Sequence, residues 1–150
     1  MADLRFDLSE PSSGWMPVSV RIGGHELRSA ASHVVDCLTD LVYAGLELLE
    51  GRPVRPIVLL EEPEATRLSF VGDRDVIEVE ITRHPDLAAA QGARHGTVLL
   101  ATSMERVALA RAIWSAVRPL EGASGRDRIE AGWRHRFPAK EIAQLGAELR

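Results

Sequence analysis

A single cysteine, Cys37, stands in 150 residues. No disulfide can form within the chain, and its stability has to come from packing. Lysine is as scarce, for Lys140 is the only one and the remaining basic charge is arginine. No apolar run approaches the roughly 20 residues that a membrane-crossing helix needs. The opening stretch, MADLRFDLSEP, lacks the basic start and apolar run of a secretory signal, and a reducing cytoplasm is the expected compartment. The patterns of common chemistries are missing too. No G-x-G-x-x-G or phosphate-binding loop follows a strand pattern, and no G-x-S-x-G elbow surrounds a serine. His25, His33, His84, His95 and His135 show no H-E-x-x-H spacing. Basic residues number 18 against 22 acidic ones, a net charge of -4, which argues against non-specific nucleic-acid binding.

What the chain does have is ordinary globular material. Hydrophobic residues make up 45% and charged residues 27%, enough for one domain, residues 1–150, with its own core. Leu4, Phe6 and Leu8 alternate with polar residues, as do Met16, Val18, Val20 and Ile22, and both runs read as half-buried strands. Pro17 places the start of the second at a sheet edge, and Gly23-Gly24 ends it. Ser29 to Glu50 carries the clearest helical period, with Val34, Cys37, Leu38, Leu41, Gly45 and Leu48 on one side and Gly51 and Pro53 as stop signals. Ile57–Leu60, the run around Leu68 and Phe70, and Ile77–Ile81 read as three more strands, the last two joined by a turn at Gly72-Asp73-Arg74-Asp75. Residues 84–96 read as a loop and Thr97–Ala101 as a short strand. Thr102 and Glu105 match a capping box for a helix that continues to Pro119. Residues 122–125 read as a flexible joint, 126–137 as irregular, and Pro138 as the opening of a short terminal helix. The expected order is β-β-α-β-β-β-β-α-α. It favours an α+β domain in which an antiparallel sheet of five to six strands carries two longer helices on one face and a short C-terminal helix.

Asp36, Asp40, Tyr43, Glu47 and Glu50 fall opposite the apolar side of the 29–50 helix. Such a ridge suits a basic protein partner, because complementary charge steers encounter and a tyrosine anchors an interface. An amphipathic helix also shows a polar side to water with no partner at all, so both readings stand. His33, Asp36 and Asp40, spaced i, i+3 and i+7, face one direction without completing a ligand set, and no metal is expected. Glu61, Glu62 and Glu64 would serve acid–base chemistry only if burial separated their proton affinities; a solvated turn between strands needs nothing further. Cys37, with Val34, Leu38 and Leu41 around it, reads as an inert core thiol. Arg126, Arg128, Arg134, His135 and Arg136 around Trp133 have the composition of a single-strand nucleic-acid platform. In an acidic chain, pairing with the acidic helix is the better reading, and no nucleic acid is expected.

Three segments, GWMPVSVRIGG, SAASHVVDCLTDLVYAGLELLEG, and VLLEEPEATRLSF with its GDRDVIEVEI hairpin, resemble in their order small uncharacterised bacterial proteins of actinobacterial type. Some of these look like immunity proteins of polymorphic toxin systems. The resemblance covers roughly the first half of the chain. It implies an antiparallel α+β domain, leaves toxin neutralisation open, and carries over no catalytic residue. The expected function is a non-enzymatic protein-binding module, an immunity-type inhibitor that meets a basic toxin. Two other readings stand beside it. One is a small enzyme or ligand binder with a pocket between sheet and helices and Glu61–Glu64 at its mouth. The other is a structural homodimer subunit. No cofactor and no membrane partner is expected.

Overall fold

The computed structural model describes residues 3–72 and 74–150, and of residues 123 and 124 the backbone only. Asp73, in the expected 72–75 turn, lies outside the described residues. Strands β1 (Leu4–Leu8), β2 (Trp15–Ile22) and β3 (His25–Ser32) form one antiparallel sheet in that order. A second antiparallel sheet has the order β4 (Ile57–Leu60), β5 (Ala65–Val71), β6 (Val76–His84) and β7 (Thr97–Glu105). Helix α1 (Cys37–Leu49) joins the two sheets, and α2 (Leu87–Gln91) separates β6 from β7. Helices α3 (Arg106–Ser124), α4 (Arg126–Trp133) and α5 (Ala139–Glu148) complete the chain. The class is α+β with antiparallel pairing, but the strands divide into sheets of three and four rather than forming one sheet of five to six. No helix among the described residues is long and apolar enough to cross a membrane.

The differences from the expected order have physical causes. Gly23-Gly24 does not end the first sheet. Gly23, at φ +60°, turns a two-residue hairpin, and Ile22 pairs with His25. The strand that follows, HELRSAAS, lies on a sheet edge and buries only Ala31 and Ser32, so it offers almost no apolar alternation to read. The helix accordingly begins at Cys37 rather than Ser29. Asp36 is its N-cap, accepting the Thr39 N–H at 3.2 Å, and Val34 is exposed outside it. Pro17 sits inside the central strand β2, not at an edge. Leu8 pairs with Val18, so β1 ends beside Val18, and the Pro17 carbonyl accepts from Ser9 N–H. The proline nitrogen therefore points past the end of that ladder, where no donor is required.

Thr102 and Glu105 form no capping box. Both belong to β7, paired with Val79 and Val76, and Glu105 makes no side-chain cap bond to α3. Helix α3 runs through Pro119 to Ser124, residues 126–133 are helical rather than irregular, and residues 87–91 of the expected loop form α2. Asp86 caps that short helix by accepting Ala89 N–H at 2.8 Å.

The inner faces of both sheets meet α1, α3 and α5 in one core, in which Trp133, Phe137, Leu38, Ile77 and Ile113 are fully buried. A second cluster, Val58, Leu60, Ala65 and Ala90 with Val35 and Leu87 against it, lies on the other face of the second sheet beneath α2. Burial on both faces is the reason Ile57–Leu60 is apolar throughout.

One polar residue ties these parts together. Arg106, the first residue of α3, is only 7% exposed. Its guanidinium donates to the carbonyls of Leu48 at 3.3 Å, Arg52 at 3.2 Å and Gly72 at 3.2 Å, and also to that of Arg74. Leu48 belongs to the last turn of α1, which has no basic residue of its own. Arg106 thus supplies the cation that the negative end of a helix dipole favours. Arg106→Met keeps much of the aliphatic volume but strands those carbonyls, and urea unfolding should show a loss of about 3 kcal/mol or more. A loss below about 1 kcal/mol would mean that water replaces these bonds at little cost.

Cys37 is buried in the first turn of α1. Burial pushes its thiol far above the ordinary value, and the neighbouring Asp36 and Asp40 add to the shift. The native chain should resist thiol reagents and react fully once denaturant is added. Stoichiometric labelling of the native chain would contradict this placement.

Candidate functional site

The acidic side of α1 is not an open ridge. Arg55, in the segment after the helix, folds back along it. Its guanidinium lies 3.0 Å from Glu47, 3.5 Å from Asp40 and 4.9 Å over the Tyr43 ring, and its backbone N–H donates to Glu47 at 3.1 Å. Arg52 pairs with Glu47 at 3.4 Å and with Glu50 at 3.2 Å. Glu47, at 8% exposed, is a buried carboxylate held by two arginines. Burial alone would raise its carboxyl, but hydrogen bonds from the Arg55 side chain and backbone, with Arg52, hold it below the usual carboxylate value. Asp40 moves the other way, because its partial burial outweighs the attraction of Arg55, with Asp36 and Glu47 adding repulsion. Of the expected partner-binding set, Asp36, Asp40, Tyr43, Glu47 and Glu50, the first two are half-buried and Glu47 is buried. Only Tyr43 and Glu50 are exposed, and Glu50 already carries Arg52.

Asp36 has a second task besides capping. Its Oδ1 accepts the Trp133 Nε1–H at 2.8 Å, and its Oδ2 lies 3.8 Å from His135 Nδ1. His135 Nε2 donates to the His33 carbonyl. Trp133 is 1% exposed and has no face left for a base; it and His135 reach Asp36 at the N-cap of α1, while Arg128 pairs with Glu10 at 2.9 Å. Gly132 permits that docking, since a Cβ there would stand 2.1 Å from the Pro11 carbonyl oxygen. Asp36, Thr39, Tyr43, His135, Arg136, Pro138 and Glu141 border an open depression of about 270 Å³.

The Glu61–Glu64 cluster is compensated as well. Arg83 lies 3.5 Å from Glu61 and 3.7 Å from Glu64, and the Thr66 hydroxyl donates to Glu61 at 2.9 Å. The interior behind it is filled. The void bordered by Phe6, Met16, Cys37, Leu41 and Leu59 measures about 10 Å³, room for one water at most. His33, Asp36 and Asp40 do not converge, because Asp36 turns to Trp133 and Asp40 to Arg55. Among the described residues, no three His, Cys, Asp or Glu side chains gather as metal ligands.

Three acidic side chains without a partner among the described residues lie together on the second sheet. Glu78 and Glu80 of β6 and Glu105 of β7 project from the face opposite the core, in register with Val71, Ser69, Ser103, Ala101 and Val76. All three are exposed, and among the described residues none has a hydrogen-bond or ion-pair partner. Arg67, the nearest cation on β5, is held by its Nη1 on the Ala90 and Gln91 carbonyls at 2.9 and 3.2 Å. Helix α2 covers the β4–β5 part of this face, while the β6–β7 part is open. Val71 at 65%, Val76 at 48% and Val98 at 57% exposed complete it. The alternation Ile77-Glu78-Val79-Glu80-Ile81 shows these glutamates facing away from the core, but sequence cannot show that they lack cations.

No family model, curated protein or solved structure matches the chain.

Glu47 is paired with Arg52 and Arg55, with a measurable consequence. Its lowered carboxyl stabilises the fold above the ordinary carboxylate range, and that contribution is lost as pH falls through the lowered value. Asp40, raised, contributes with the opposite sign. Glu47→Gln should cost about 1–3 kcal/mol at neutral pH, and its gap from the wild type should close below about pH 4. A gap unchanged at about pH 3 would place the effect in packing rather than charge.

Proposed function

We propose that the chain is a non-enzymatic protein-binding module that receives a basic partner on the open β6–β7 half of its second sheet. One observation carries this reading. Glu78, Glu80 and Glu105 share a flat exposed face and have no cation partner among the described residues, whereas the carboxylates of α1 are held by arginines of the chain itself. Carboxylates already paired have little left to offer a partner. Unpaired ones on a flat face steer a basic protein and pair with it on arrival. Exposed valines beside them add apolar area to an otherwise charged contact. The immunity-type role against a basic toxin is the form of this reading that the sequence resemblance suggests. Tyr43 belongs to α1, which packs on the core side of the sheets, and takes no part in this face.

The test is a photo-crosslinking residue at position 80, with position 121 on α3 as the control, in the cells that encode the chain. A basic protein should be captured from position 80 and not from position 121. Glu78→Lys with Glu80→Lys should slow its association about tenfold at low salt, with the difference shrinking as salt rises. Unchanged thermal unfolding of the double variant would show that the fold survives. Equal capture from both positions, or association indifferent to charge reversal, would defeat the reading.

A further inference from the structure

The open acidic face ends at β7, the last strand of the second sheet among the described residues. Within the second sheet β7 pairs only with β6. From Thr97 to Ala101, among the described residues, no backbone hydrogen bond reaches any other element. Thr97, Val98 and Ala101 are exposed, and Leu99 and Leu100 are half-buried. Edge strands are usually guarded by lysine, proline or a bulge. The run TVLLA has neither a charge nor a proline, and its guard is the irregularity opposite Ile81 and Thr82.

We propose that this edge takes an extended segment of the partner as a fifth strand, a segment in which basic side chains alternate with apolar ones. The proposal rests on the reading above that the partner is basic, and adds how it is held. The outer face of β7 places small side chains between the edge and the acid of β6, with Ala101 in register with Glu80 and Ser103 with Glu78. From an added strand, an Arg or Lys side chain passes over Ala101 and meets Glu80 two strand spacings away, about 10 Å. Both side chains together cover that distance. Residues between the basic ones turn to the other side, where Leu100 packs against the main core, and apolar side chains continue that row. Main-chain hydrogen bonds to β7 would supply affinity and the alternating side chains selectivity.

A second copy of the chain fits the same edge poorly. β7 contains no basic residue, and its one charge is Glu105. Pairing β7 with itself would bring a second set of unpaired glutamates to the same face and no cation to meet either set.

The probe is a synthetic peptide of alternating arginine and valine, offered to the full chain at low salt. It should bind, and it should slow amide exchange at Thr97–Ala101. Methylating alternate backbone nitrogens of the peptide removes donors without altering its charge, and should weaken binding about tenfold or more. Glu78→Gln with Glu80→Gln should weaken it about tenfold as well. If methylation changes nothing while the glutamine variant binds weakly, the basic segment lies on the face and not along the edge. That result overturns this inference and leaves the proposed function standing. Absence of binding, or binding that leaves the Thr97–Ala101 amides unprotected, also overturns it. Self-association that protects those amides without peptide would assign the edge to a second copy, and overturns it too.

Discussion

A buried arginine bound to carbonyls rather than to a carboxylate sets the frame of this molecule. Burying a guanidinium is costly unless its donors are met, and Arg106 meets them with main-chain oxygens from four places. These are the last turn of α1, the segment after it, and both sides of the β5–β6 turn. Because a planar fork accepts few arrangements of partners, satisfying it fixes the end of α1 against the second sheet and the start of α3. The segment thus held contains Arg52 and precedes Arg55. Their return along α1, which closes its acidic side, follows from where Arg106 holds the chain.

Elements with one well-buried face were legible in the sequence. β1, β2 and β6 alternate cleanly, β4 is apolar throughout because both its faces are covered, and the apolar side of α1 from Cys37 to Leu48 is as the helical period implies. β3 was not legible, since an edge strand with six of its eight side chains open or half-open has no pattern to show. Ser29–Val35 carries no breaker, so the period ran on into it. Asp36, which looked like one more member of a polar stripe, is the cap that ends the non-helical segment. The openness of the polar side of α1 was not legible for a different reason. Exposure there depends on Arg52 and Arg55, which lie beyond the helix stop and are placed by tertiary contacts. Cations just past an acidic helix are nonetheless a readable hint, because they suit the dipole and the carboxylates together.

The glutamates consequently fall into two kinds. Glu47 and Glu61 are held by the chain's own arginines and hydroxyls and contribute to shape. Glu78, Glu80 and Glu105 have no such partners among the described residues and contribute only to the field outside the protein. A net charge of -4 is modest, yet three exposed carboxylates share one face of β6 and β7, where their fields add. The basic run near Trp133 shows the converse. Composition there matches a nucleic-acid platform, but the reading preferred from sequence is a structural one, and Trp133 and Phe137 are buried with Asp36 taking the indole N–H.

The second apolar cluster divides the stability of the chain unequally. A helix of five residues cannot hold itself in water, so α2 depends on Leu87 and Ala90 against Val58, Leu60 and Ala65, on its Asp86 cap and on the bonds from Arg67. None of these reaches the main core. Opening α2 therefore leaves the larger cooperative unit intact, and local unfolding of this kind lies well below the free energy of global unfolding. Exposed residues 91–96, already loop-like in composition, are where insertion and proteolysis are expected to be best tolerated. This lesser unit borders the acidic face, so that face has one firm side, β6 and β7, and one side that yields.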